Sequence, residues 1–115
     1  MTKYNSKRTT TDGITFDSKA EAEHYQVLKM SERAGEIQDL VIHPTYRLQD
    51  AFKYAGKTER AISYEADFQW LEDGVIHVAD VKGVRTEVYK IKRKLFLKKF
   101  GDNIKFEEVN ISNNR

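Results

Sequence analysis

Residues 60–82 read RAISYEADFQWLEDGVIHVADVK, and the fold turns on them. Ile62, Tyr64, Ala66, Phe68 and Trp70 alternate with Ser63, Glu65, Asp67 and Gln69. A period of two with one apolar side is a half-buried β-strand. Asp73-Gly74 has the form of a two-residue hairpin turn. Residues 75–81 are apolar on both faces and read as a second, central strand. With Asp73 and Gly74 in the turn, Glu72 faces Val75, Asp67 falls opposite Asp80, and Glu65 falls opposite Lys82. The pleat then puts all four of these charged side chains on one side of the sheet, in a block two residues long.

Working outward, Ser18-Lys19-Ala20-Glu21 has the form of a capping box. Helix-forming residues follow to about Ala34, and Gly35 supplies the stop. Residues 36–47 read as a strand broken or bent at Pro44, which has no N–H to give to a ladder. Residues 50–58 read as a loop or wide hairpin turn. Thr86 can cap a second helix running to about Phe100, with Gly101 ending it, and residues 104–111 form a last short strand. Helix, three antiparallel strands, helix and strand make an α+β domain with a small mixed sheet. Residues 1–12 are polar and aperiodic and read as a flexible N-terminal arm, leaving 13–112 as a single domain.

Two carboxylates opposed in a ladder, with Cβ atoms roughly 4.5–5.5 Å apart, repel each other. Asp80 moreover ends the run Val-Ile-His-Val-Ala, where an unpaired carboxylate is costly. A divalent cation resolves both problems, and carboxylate oxygens suit Mg²⁺ or Mn²⁺. Such an ion lowers the pKa of a water and stabilises charge on a phosphate oxygen. Lys82 beside it can orient the water or stabilise the transition state, or it can simply pair with Glu65 across the strands. Glu21 lies with His24, Tyr25 and Leu28 on the inward face of the first helix. It either completes the capping box or reaches the metal as a third carboxylate. His24, His43 and His77 are isolated in sequence, lack metal-ligand spacing, and read as structural.

The chain has 115 residues, no cysteine and a net charge of only +2, so disulfides and cysteine-bound zinc are excluded. The charge is concentrated. Between residues 82 and 99 stand Lys82, Arg85, Lys90, Lys92, Arg93, Lys94, Lys98 and Lys99, opposed only by Glu87. A local excess of this kind fits a polyanion or a solvated helix face. On the second helix Val88, Tyr89, Ile91, Leu95 and Phe96 form an apolar arc. Lys92 falls inside that arc, either snorkelling or pointing at the site to hold a phosphate. Lys90, Lys94 and Lys98 fall outside it. No run approaches the ~20 apolar residues of a membrane span, and no export signal follows the N-terminal charges. The expected compartment is therefore the cytoplasm.

Asp67 followed by Asp80-Val81-Lys82 and a basic helix resembles the PD-(D/E)XK nuclease superfamily. The fuller pattern resembles a family of small phage and prophage proteins of unknown function within it. The matching stretches are residues 16–23, 34–37, 64–68, 80–83 and 86–94, most of the chain after the arm. The resemblance implies a restriction-endonuclease-like α-β-β-β-α-β core. It implies Mg²⁺ or Mn²⁺ held by Asp67, Asp80 and the carbonyl of Val81, with Lys82 as the catalytic lysine. In branches such as transposition endonucleases and Holliday junction resolvases a first-helix glutamate joins the site, a role that falls on Glu21. The sequence departs from the pattern at Ala66, where the superfamily name has proline. It departs again at Ala79, where close relatives are expected to carry an acidic residue, so metal binding here is expected to be weaker.

The expectation is a metal-dependent endonuclease acting on DNA, on branched or junction structures in phage recombination or replication. Asp67, Asp80, Lys82 and Glu21 are its catalytic candidates, and Arg85, Lys90, Lys92 and Lys94 its DNA contacts. The alternatives are a nuclease-fold DNA-binding protein with little or no cleavage, and a protein-interaction module. No organic cofactor is expected. A chain this small that cuts both strands is expected to dimerise.

Overall fold

The computed structural model describes residues 7–111. Its elements run β1 (Thr9–Thr11), β2 (Ile14–Phe16), α1 (Lys19–Arg33), β3 (Gln38–Ile42), β4 (Thr45–Gln49), β5 (Phe52–Tyr54), β6 (Lys57–Glu59), β7 (Ile62–Glu65), β8 (Phe68–Glu72), β9 (Val75–Lys82), α2 (Glu87–Phe100) and β10 (Ile104–Asn110). The fold is mixed α+β and mostly strands. A four-stranded sheet has the order β10-β9-β8-β3. β9, β8 and β3 are antiparallel, and β10 joins β9 in parallel after the α2 crossover. Among the described residues no helix is long and apolar enough to cross a membrane.

The Asp73-Gly74 turn fixes the central register. Both residues have positive φ, 52° and 77°, as a type I′ turn requires. The ladder then runs from Glu72↔Val75 to Phe68↔Ala79, as the sequence demanded. Ser18 caps α1 by accepting the Glu21 N–H at 3.0 Å, and Thr86 caps α2 by accepting the Tyr89 N–H at 3.0 Å. Each helix covers one face of the sheet. Phe16, Tyr25, Leu28, Ile37, Phe68 and Trp70 pack with Ala79 on the α1 side. Tyr64, Ala66, Tyr89 and Phe96 pack with Val78 on the other.

Four expectations are corrected here. The single strand over residues 60–71 is two, β7 and β8, interrupted at Ala66-Asp67. As a result Tyr64 and Ala66 serve one core while Phe68 and Trp70 serve the other. Beyond the interruption β7 pairs with β4, and Glu65 faces Thr45 rather than Lys82. Of the stretch read as an arm, residues 9–11 pair with β2, and the Tyr25 hydroxyl donates to Asp12 at 2.8 Å, tying this hairpin to α1. Residues 1–6 lie outside the described residues. Finally, the apolar arc of α2 splits. Tyr89 and Phe96 are buried, whereas Val88, Ile91 and Leu95 are 61%, 58% and 45% exposed. The arc spans about 160° at ~100° per residue, wider than the strip a helix lays on a sheet.

Phe96 is fully buried against Tyr46, Tyr64, Phe100 and Phe106. Phe96→Ala is predicted to cost about 3–5 kcal/mol in urea unfolding. A loss below about 1 kcal/mol would show that the α2 core does not hold the fold.

Candidate active site

The site forms where two adjacent strands break at the same level. Pro44 interrupts β3 and β4, and its carbonyl accepts the Ala66 N–H at 3.0 Å. The Asp67 carbonyl in turn accepts the His43 N–H at 2.9 Å. Asp67 donates its own N–H to the Ala79 carbonyl at 3.1 Å, so Asp67 and Phe68 both face Ala79, and the expected pairing of Asp67 directly opposite Asp80 is not formed. Two residues against one is a β-bulge, which re-aims the side chain it carries. A continuous ladder would have given the Ala66 N–H to Val81. Instead the Asp67 carboxylate takes the Val81 N–H, at 2.6 Å. The Val81 carbonyl leaves the strand on the same side as its N–H. It therefore faces the gap that the bulge opens, with its ladder donor diverted to Pro44.

Asp80 and Lys82 project from β9 on the α2 side. Asp80 is 1% exposed. One of its oxygens accepts from the Tyr64 hydroxyl, and the other lies 3.2 Å from the Lys82 ammonium. Lys82 is therefore partnered by Asp80, two residues away on its own strand, in place of the expected Glu65. Its ammonium also sits 4.2 Å from the centroid of the Tyr89 ring. Burial, reinforced by the Asp80 charge, pushes the Tyr64 hydroxyl far above its ordinary range, so it remains a donor. Burial raises the Tyr89 hydroxyl too, and that group donates to Glu108 at 2.5 Å.

Glu21 is buried and reaches the same gap from α1. Its carboxylate does not close the capping box but meets His43 Nε2 at 2.8 Å. His43 holds a positive φ of 55° at the strand break. Ligand atoms of Glu21, His43 and Asp67 all lie within 4.8 Å of one another. The charge balance of this group is unfavourable. Burial pushes the Asp67 carboxyl up to about 8, with the Asp80 and Glu21 charges adding to the rise and the Val81 N–H and Lys82 opposing it.

Glu21 and Asp67 meet at the break, and Asp67 caps the Val81 N–H. Asp80, expected as a metal ligand, instead holds Tyr64 and Lys82 and acts on Asp67 through its charge. His43 was missed. The signal available was its place immediately before Pro44, in the predicted break. His24 and His77 remain structural: His24 lies against Phe68 with burial lowering its pKa, and His77 stacks on Trp70. The basic candidates do not converge in the same way. Arg85 lies 3.3 Å from Glu108 and Lys90 3.2 Å from Glu87, Lys92 is half-buried, and Lys94 is exposed.

The profile of the DUF1064 family, described as proteins of unknown function, matches residues 1–112. The chain belongs to the DUF1064 family. No curated protein matches it. Among solved structures it is similar to protein VC1899 from Vibrio cholerae, with 18% identity and a TM-score of 0.47. The match covers 94% of this chain and 31% of that one, so the chain spans about a third of VC1899's length.

An acid that holds its proton more tightly folded than unfolded loses stabilising power as pH rises between the two pKa values. For Asp67 that window runs from about 4 to about 8. Asp67→Asn is predicted to raise the thermal midpoint in EDTA, with a gap over wild type that widens from pH 4.5 to pH 8. A gap independent of pH would refute the assignment.

Proposed function

We propose that this DUF1064 protein is a metal-dependent endonuclease of the PD-(D/E)XK type that hydrolyses phosphodiester bonds in DNA. The order α1, β3, β8, β9, α2, β10 supports this reading, since it follows the α-β-β-β-α-β core. The observation that carries it is the cluster of Glu21, His43 and Asp67 at the strand break, with the Asp80–Lys82 pair near enough for both charges to act on Asp67. Like charges gathered in a buried gap destabilise the protein unless a cation or proton joins them.

The donor set fits a divalent ion. Asp67 and Glu21 offer carboxylate oxygens, Val81 a carbonyl freed from the ladder, and His43 an imidazole nitrogen. Oxygen donors suit Mg²⁺ and Mn²⁺, and an added imidazole shifts preference toward Mn²⁺. When bound, the ion supplies Lewis-acid stabilisation and a water of lowered pKa. The chain's own groups do the rest. Asp80, held by Tyr64, keeps the Lys82 ammonium at the edge of the gap, where it stabilises negative charge building on the phosphate. Water oxygen bonds to phosphorus as one P–O ester bond breaks, and the proton ends on the departing oxygen. Lys92, Lys94, Lys90 and Arg85 contact the flanking phosphates. One observation favours the second reading, a DNA-binding protein with little cleavage. Both Asp80 oxygens are already engaged, by Tyr64 and Lys82.

Cleavage of linear, nicked and four-way-junction DNA with Mn²⁺ and with Mg²⁺ decides between them. Wild type is predicted to cut, faster with Mn²⁺, and Asp80→Ala and Lys82→Ala to lose roughly 100-fold or more. His43→Ala is predicted to raise the Mn²⁺ concentration needed for half-maximal rate. DNA binding without cutting by folded wild type would establish the second reading.

A further inference from the structure

One part of the molecule contributes nothing to either core. Residues 51–60 are exposed throughout. They form the β5–β6 hairpin, joined by Ala55 and Gly56, both at positive φ. A hairpin of three-residue strands is marginal on its own. It nonetheless carries two aromatic rings, Phe52 and Tyr54, 48% and 71% exposed.

The pleat places both rings on one face. Cross-strand partners on that face are Glu59 opposite Phe52 and Lys57 opposite Tyr54, while Lys53 and Thr58 take the other face. Lys53, Lys57 and Arg60 have no ion-pair partner among the described residues. Aromatic rings flanked by unpartnered cations are the two ingredients of base recognition on unpaired strands. The rings stack on base faces and the cations track the phosphates. A duplex offers the phosphates but keeps its base faces stacked.

We propose that the β5–β6 hairpin binds the unpaired bases of branched DNA, with Phe52 and Tyr54 as the stacking groups. The proposal rests on the nuclease reading for its biological use, and it supplies that reading with a substrate class. It also sets a distance. The β4–β7 ladder begins at the strand break and leads to the hairpin. Ten residues separate Pro44 from Tyr54, at most about 33 Å of strand. At ~3.4 Å per nucleotide the cut falls within about ten nucleotides of the unpaired segment.

The test measures binding in EDTA, where cutting does not contribute. The probes are a duplex bearing an unpaired flap with 2-aminopurine in the flap, and the same duplex without a flap. Wild type is expected to prefer the flapped DNA and to change the 2-aminopurine fluorescence. The double variant Phe52→Ala/Tyr54→Ala is expected to lose roughly 10-fold or more of flap affinity, with duplex affinity within about 2-fold of wild type. Phe52→Tyr/Tyr54→Phe is expected to keep the preference. No flap preference in wild type overturns the proposal, as does an unchanged preference in the alanine variant. So does self-association in sedimentation that the alanine variant abolishes, which would make the hairpin a dimer arm. Flap preference without Mn²⁺-dependent cutting would leave this inference standing and sink the nuclease. Cutting indifferent to the hairpin variants would do the reverse.

Discussion

A single missing hydrogen-bond donor organises the site. Pro44 cannot extend the β3 ladder, and its carbonyl captures the N–H of Ala66 from the neighbouring strand. Four consequences follow from that one exchange. Val81 loses its ladder donor, and its carbonyl faces an open gap. Asp67 bulges and caps the orphaned Val81 N–H with its carboxylate. The chain parity shifts by one, which sends Tyr64 and Ala66 to the α2 core and Phe68 and Trp70 to the α1 core. His43 takes a positive φ at the break, at a cost of roughly 1–2 kcal/mol, and there it meets Glu21. A straight pair of strands would have placed none of these groups together.

The two aspartates end in unequal surroundings. Asp80 is the more deeply buried, yet it accepts from a tyrosine hydroxyl and faces an ammonium. Asp67 is partly buried between the Glu21 and Asp80 charges, with the Val81 N–H, Lys82 and His43 as its compensating neighbours. Burial and the two nearby carboxylates favour the protonated form of Asp67 in the absence of a further cation. Asp80 positions Lys82, and Asp67 is the group whose charge awaits compensation. Glu21 enters the gap from the opposite side, 2.8 Å from His43 Nε2.

The regular parts of the fold were legible because local rules govern them. Asp73-Gly74 admits one register, and Ser18 and Thr86 are helix caps whatever surrounds them. The site was legible as far as that register reached. It ends at Phe68, one residue short of Asp67, and nothing in the alternation of residues 62–70 announces the bulge. The bulge depends on Pro44, some twenty residues away in sequence, so period-counting within one strand cannot find it. His43 was hidden for the same reason: its partners are tertiary. On α2 the hydrophobic pattern overstated burial, since Val88, Ile91 and Leu95 match the period but lie beyond the strip that touches the sheet.

The break also explains how an element outside the core keeps a defined position. Past Pro44 and before Ala66 the chain is a two-stranded arm, and such ribbons swing unless anchored. This one is anchored from two directions. Tyr46 packs at a tilt against Phe96 and Phe100 of α2 and donates its hydroxyl to Gln69 of β8 at 2.7 Å. Lys99 of α2 donates to the Arg47 carbonyl at 2.9 Å. The base of the arm is thus tied to the helix that carries the basic flank and to the strand that follows Asp67. Recognition elements work when a rigid base holds an accessible tip. Here the pairing that opens the carboxylate-lined gap at one end of the arm also carries the exposed aromatic hairpin at the other.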